Sequence, residues 1–237
     1  MPAPNLESLE KQLKIKFKNK DLLREALTHR SYLNENTTWN LPQNERLEFL
    51  GDAVLELVTT GFLFHTFPEK QEGELTSIRA ALVNHIMLGR VANDLELDRH
   101  VLLSRGEAKD DGRAKEAIMA NAVEALIGAI YLDQNYEKAA KFIHAHILSH
   151  LNEVLEKELF IDAKSELQEI AQEKLRITPV YKIVDEEGPD HDKQFVAAVY
   201  FNKEKIAEGK GFSKQEAERD AAVNALKKWK KNNRPSA

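Results

Sequence analysis

The chain of 237 residues is long enough for one large or two modest domains, each able to bury a core. Its composition, 42% hydrophobic and 31% charged, is that of a folded globular protein, and the absence of cysteine excludes disulfides, thiolate zinc sites and cysteine nucleophiles together. The formal net charge of −5 argues against a nucleic-acid partner only as an average. Residues 1–162 hold 19 Lys and Arg against 26 Asp and Glu, whereas residues 163–237 hold 15 against 13.

In chain order, the opening MPAPNLESLE has neither the basic nor the apolar region of a secretory signal, and the most apolar stretches, such as AVEALIGAIYL, are too short to span a bilayer. The expectation is a cytoplasmic protein with no membrane partner. Apolar residues then recur at helical spacing in LESLEKQL, DLLREALTHRSYL, ERLEFLGDAVLELVTTGFLFHTF, GELTSIRAALVNHIMLGRVANDL, KEAIMANAVEALIGAIYLD and NYEKAAKFIHAHILSHLNEVLEKEL, and nothing there alternates like a strand. After a linker at 157–161 the pattern changes to a helix, SELQEIAQEKL, three strand-like runs, VYKIVDE, KQFVAAVYF and EKIAEGKG, and a last helix, KQEAERDAAVNALKKWKK. The predicted fold is α+β: an all-helical domain over 1–156, an α-β-β-β-α domain over 162–231, and a frayed tail over 232–237.

The segment NERLEFLGD sets Glu45, Glu48 and Asp52 at i, i+3 and i+7 of a predicted helix, so that their carboxylates stack along one face while Leu47, Leu50, Val54 and Leu57 cover the rest. Acids this close repel one another, and burial disfavours ionising each of them. A divalent cation resolves the conflict, since Mg²⁺ takes hard oxygen ligands and keeps several waters. A second polar pair, Asn121 and Glu124, lies three residues apart among apolar neighbours in ANAVEALIGAIYLD. The plainer reading makes these acids the wet face of an amphipathic helix, and spacing alone does not separate the two.

NERLEFLGDAVL resembles the signature of the ribonuclease III family. ALTHRSY at 26–32, EGELTSIRAALV at 72–83, ANAVEALIGAIYLD at 120–133 and DAKSELQE at 162–169 resemble other segments of that family, in the same order. The resemblance implies a helical endonuclease domain followed by a double-stranded RNA-binding domain. It implies Mg²⁺-assisted phosphodiester hydrolysis, with Mn²⁺ as a substitute, in rRNA and other RNA processing, leaving a 5′ phosphate, a 3′ hydroxyl and short 3′ overhangs. The metal-binding acids would fall on Glu48, Asp52 and Glu124, with Glu45 and Glu74 lining the same valley. Phe49 would insert into a partner subunit, making a homodimer whose two sites cut opposite strands.

Asn121 departs from the pattern, which has aspartate there. An amide oxygen still ligates Mg²⁺ but brings no charge. Three readings stay open: a tolerated natural variant, a change made to trap substrate, and a double-stranded RNA-binding protein that does not cut. A scaffold indifferent to RNA would require every motif to be coincidence.

In the small domain, Ser213 and Glu216 form an expected capping box that leaves a helix N-terminus and Lys214 facing outward, favourable to an anion. By resemblance, Ser165, Gln168, Glu169 and Gln172 touch one minor groove and the loop around His191 the next. Gln215, where a second lysine is usual, and Asp190 weaken the contact. The eight histidines show no metal-ligand spacing. Gly209 and Gly211 form no phosphate loop, which implies no nucleotide cofactor and a strand-to-helix turn, and LKKWKK reads as a solvated face.

Overall fold

The computed structural model describes residues 6–109, 112–160, 163–188 and 193–232. The chain divides into two units, Met1–Phe160 and Ile161–Ala237, each with its own core. In the first, helical periodicity becomes α1 (Leu6–Leu13), α2 (Lys20–Ala26), α3 (Arg30–Glu35), α4 (Glu45–Thr66), α5 (Glu72–Val83), α6 (His85–Asp94), α7 (Arg113–Asp133), α8 (Tyr136–His146) and α9 (Leu151–Glu156). Three of the expected helices are interrupted. The run DLLREALTHRSYL breaks at Leu27–His29 because Thr28 pairs with Leu102 in an isolated parallel bridge. Leu102 donates its N–H to the Leu27 carbonyl at 2.7 Å, and its own carbonyl accepts from the His29 N–H at 3.1 Å. Asn84 takes an extended conformation and caps α6, its side-chain oxygen accepting the Met87 N–H at 2.9 Å, which separates α5 from α6. A short 3₁₀ turn at Leu148–His150 separates α8 from α9.

α4 and α7 form the centre of this unit. Their inner faces bury Leu47, Val54, Leu55 and Val58 together with Val123, Leu126, Ile127 and Ile130. Each such side chain, fully buried, contributes roughly 1.5–3 kcal/mol of transfer free energy. A Cβ built on Gly51 would lie 1.7 Å from the Glu124 carbonyl oxygen, and one on Gly128 would lie 2.3 Å from that of Leu47. The two helices therefore touch backbone to backbone and run antiparallel, residue 51 facing 124 and residue 47 facing 128. Only glycine at both positions permits that approach.

The second unit comprises α10 (Ala163–Leu175), β1 (Val180–Glu187), β2 (Gln194–Phe201), β3 (Glu204–Gly211) and α11 (Lys214–Asn232). The strands form one antiparallel sheet in the order β1-β2-β3. Its inner face, with Ala197, Val199, Phe201 and Ala207, meets a row of small side chains on α11 (Ala217, Ala221, Ala222, Ala225) and the Ala163, Leu167, Ala171 edge of α10. Gly209 and Gly211, expected in a turn, lie instead within β3. A Cβ on Gly209 would meet the Ala221 nitrogen at 2.0 Å, so these glycines let α11 settle on the strand. α11 reaches Asn232, the first residue of the expected tail, whose other residues, 233–237, lie outside the described residues.

Candidate functional site

The first half of α4 is anchored before its acids begin. Asn44, 2% exposed, donates its side-chain amide to the Ala26 carbonyl at 3.3 Å and its backbone N–H to Thr28 at 2.9 Å. It stands where an N-cap residue is expected, yet it makes no side-chain cap bond. It ties the helix start to the break between α2 and α3 instead.

From that fixed start, Glu45, Glu48 and Asp52 emerge in order, Glu48 half-buried and the other two exposed. The glycine crossing brings Asn121 and Glu124 of α7, both half-buried, against them. Burial, followed by the charges of Asp52 and Glu48, pushes the Glu124 carboxyl up to about 8. Burial also raises Glu48, with Glu45 and Asp52 adding to the shift. The Asn121 side-chain amide opposes it by donating a hydrogen bond to the Glu48 carboxylate. Five of the predicted site residues, Glu45, Glu48, Asp52, Asn121 and Glu124, thus act on one another electrostatically, and their oxygens are the hard donors that suit Mg²⁺. Among the described residues no three His, Asp or Glu side chains converge closely enough to enclose an ion alone. The amide at 121 takes one place in the group without adding charge, and an ion held here needs water or substrate oxygens to complete its shell.

Glu45 keeps partners of its own, accepting from Gln43 Nε2 at 2.8 Å and facing Arg30 at 3.7 Å. Glu74 is not brought to the group. It sits on α5, paired with Lys70 at 2.8 Å, beside the C-terminal half of α4, where Arg79 bonds Glu56 and Thr60.

A second face of α4 is apolar and uncovered. Phe49 is 80% exposed, and Leu57, expected among the covering residues, is exposed with Phe64 on the same stripe. Near the far end of that stripe opens a cleft of about 420 Å³ lined by Thr60, Leu63, Phe64, Leu75, Thr76 and Arg79, with Lys70 and Glu72 at its edge.

In the small unit, Ser165, Gln168, Glu169 and Gln172 stand exposed along one face of α10, opposite its buried alanines and Leu167. Ser213 Oγ accepts the Glu216 N–H at 3.2 Å, and the Glu216 carboxylate accepts from Phe212 at 2.9 Å, one residue before the cap. Lys214 and Gln215 are exposed; His191 and Asp190 lie outside the described residues. One participant was not foreseen. Glu186 on β1 lies 2.9 Å from Lys193 and 3.9 Å from Lys214, and both lysines approach the Phe195 ring. Nothing local in the sequence joins residues 186 and 214; only the folded sheet does.

Comparison with known proteins agrees with this division. A ribonuclease-III-like family model matches residues 19–151, and a double-stranded RNA binding motif matches 163–228. The chain is 45% identical over 222 residues to Ribonuclease 3 of Borreliella burgdorferi, covering 94% of this chain and 90% of that protein. It is 41% identical over 232 residues to Ribonuclease 3 of Clostridium perfringens, covering 96% and 97%. Among solved structures it resembles the nuclease domain of ribonuclease III from Campylobacter jejuni, with TM-score 0.56 and 43% identity, covering 61% of this chain and 97% of that one; that domain is described as flexible in a region involved in dimer formation.

Proposed function

Because the chain belongs to the ribonuclease-III-like family and carries a double-stranded RNA binding motif, we propose that it cuts duplex RNA by Mg²⁺-assisted hydrolysis at the acids of α4 and α7. It is a double-strand-specific endoribonuclease. Its products are a 5′ phosphate and a 3′ hydroxyl with short 3′ overhangs, in the processing of rRNA and other transcripts. The observation that carries this reading is the Glu124 carboxyl, forced up to about 8 by burial and by Asp52 and Glu48 facing it across the helix crossing. Without a counter-ion such a carboxyl keeps its proton at neutral pH, and a divalent cation would take the proton's place by supplying the positive charge that the ionised group lacks.

Glu48, Asp52 and Glu124 would hold the ion, with the Asn121 oxygen as a neutral fourth donor. When bound, Mg²⁺ neutralises charge building on the phosphate and lowers the pKa of the attacking water. Glu48 must be ionised for the site to load, and the Asn121 amide that donates to it favours that state and fixes the direction of its carboxylate. Burial is the largest cause of the rise at Glu124, so holding the ion there would require displacing its proton. Mn²⁺ meets the same oxygen donors and is expected to substitute.

The exposed stripe on α4 supplies the second half of the reading. Phe49 and the cleft beside Phe64 lie about 16 Å apart on the same helix, eleven residues separating Phe49 from Thr60 at 1.5 Å each. A two-fold axis near Leu57 sets each Phe49 against the cleft of the other copy, an isologous contact that pairs two metal sites on opposite strands of one duplex. It also carries Glu74, beside that cleft, toward the partner's acids.

The deciding experiment is cleavage of a plain RNA duplex in Mg²⁺ by the parent, Glu124→Ala and Asn121→Asp. Discrete products from the parent and at least ~10³-fold slower cutting by Glu124→Ala support the metal site, since such an ion supplies several kcal/mol of transition-state stabilisation. Asn121→Asp is expected to lower the Mg²⁺ concentration needed for half-maximal rate. A parent that binds duplex but cuts only as Asn121→Asp favours the non-cleaving alternative, and no cutting by any of the three overturns the assignment. Phe49→Ser, followed by sedimentation, tests the dimer: an unchanged association constant rules out the proposed contact.

A further inference from the structure

The run KQLKIKFKNK, which joins α1 to α2, has no part in the site above. It places Lys11, Lys14, Lys16, Lys18 and Lys20 within ten residues that contain no acid, in a portion of the chain where acids outnumber bases. Such a run on a surface is ordinarily a solvated face with mobile charges. Here the backbone beneath it is clamped. Asp133, 9% exposed at the C-terminal end of α7, accepts the N–H groups of Lys18 at 2.9 Å and Asn19 at 2.7 Å. Gln134 donates to the Lys16 carbonyl at 3.1 Å, and Glu10 accepts the Phe17 N–H at 2.7 Å. Phe17 is buried between Lys16 and Lys18, so both lysines are turned outward.

Lys20 is ion-paired to Glu10. Lys11, Lys14, Lys16 and Lys18 are exposed, and among the described residues no carboxylate lies within ion-pair distance of any of them. Three of these four border a concavity of about 500 Å³, together with Ile15, Lys20, Glu10 and the exposed Glu7. Lys16 and Lys18 flank the buried Phe17 and are both exposed, so each can face its own phosphate. The position also fits a nucleic acid. Asp133 lies nine residues beyond Glu124 on α7, about 14 Å along the helix axis, and the antiparallel crossing puts it past the end of α4 that carries Glu45 and Glu48. A protein partner is a poorer match, because protein interfaces are depleted of lysine at their cores and favour aromatic and arginine anchors, whereas lysine serves phosphates as a point charge.

We propose that Lys11, Lys14, Lys16 and Lys18 form a strip, on the nuclease unit itself, that takes the phosphate backbone of the RNA duplex outside the cut. The strip rests on the proposed nuclease function and adds affinity only for duplexes long enough to reach it. Its test is the full chain with Lys14→Glu, Lys16→Glu and Lys18→Glu combined, assayed on a short duplex covering the cut and on a long one, with a Lys→Gln triple variant and thermal unfolding as controls for folding. Losing three phosphate contacts predicts, on the long duplex, KM raised about tenfold at kcat unchanged and a slope of log KM against log salt shallower by about 2–3. The Lys→Gln variant moves the same way by less, and the short duplex is unaffected. Equal effects on both duplexes, or none on either, overturn the strip, and the second result leaves an acidic protein as its occupant. If the parent cuts neither duplex, the nuclease reading fails instead. The salt slope of equilibrium binding to the long duplex then decides the strip on its own.

Discussion

The acid group between α4 and α7 and the surface of the small unit around Glu186 and Lys214 handle charge in opposite ways. At the helix crossing, like charges are forced together in partial burial, and among the described residues the neutral relief is one amide from Asn121. On the small unit, opposite charges lie side by side in water, Glu186 between Lys193 and Lys214. The first arrangement is unstable until something arrives to neutralise it; the second is already neutralised and must give up a partner to bind. A buried conflict selects its ligand sharply, whereas an exposed ion pair, worth about 0–1 kcal/mol, only tunes affinity.

The contrast breaks most readily at the crossing itself. Gly51→Ala places a methyl group 1.7 Å from the Glu124 carbonyl, where backbone must move, so a loss of about 2–4 kcal/mol is expected together with loss of cutting. Gly61→Ala in the same helix meets nothing within 4 Å and is expected to stabilise by about 0.5–1 kcal/mol. Chemical denaturation of the two variants should move in opposite directions; equal shifts would mean that the helices do not meet at Gly51.

A smaller effect concerns what the acid conflict does to stability. A Glu124 carboxyl raised to about 8 favours the folded state most below its ordinary range, near 4.5, and that contribution drains away as pH climbs through 8. In EDTA, the parent should therefore lose stability between about pH 5 and pH 8, while Glu124→Gln loses less and is the more stable protein at pH 8 by roughly 1–3 kcal/mol. Mg²⁺ should raise the parent's melting temperature at pH 8 but not the variant's. Parallel pH curves for the two proteins would remove the conflict from the account.

The smallest expected change belongs to the small unit. Glu186→Gln frees Lys193 and Lys214 from their shared carboxylate, and duplex affinity should rise a few-fold with a salt slope steeper by up to about 1. A filter-binding titration at several salt concentrations reads both quantities. Weaker binding would make Glu186 a support for the lysines rather than a competitor of the phosphate.

Much of this molecule is legible one segment at a time, because helical periodicity and the spacing of Glu45, Glu48, Asp52, Asn121 and Glu124 are local properties. What stays hidden is decided by distant partners. The break at Thr28 depends on Leu102, and the neutralisation of Lys214 depends on Glu186 across the sheet. Leu57 shows another limit: its spacing fits an apolar helix face, but periodicity does not say whether that face meets its own core or another surface. Gly209 misleads for a related reason. A glycine beside a strand end suggests a turn, whereas here its missing side chain makes room for Ala221. Glu74 carries a family likeness in sequence, yet within one chain it lies with Lys70 and away from the other acids.

The paired glycines at 51 and 128 also bear on how this chain is able to vary. Each lies against the backbone next to the other, so enlarging either one displaces the same two helices, and no side chain elsewhere can yield to make room. A lineage that gains a methyl group at one position cannot regain the spacing by a change at the other, since glycine is already the smallest residue. The route to compensation is closed from both sides. Position is thereby inherited with shape: a descendant that keeps the helix contact keeps residue 124 opposite residue 48, whatever side chains they carry, and one that loses the contact loses that alignment.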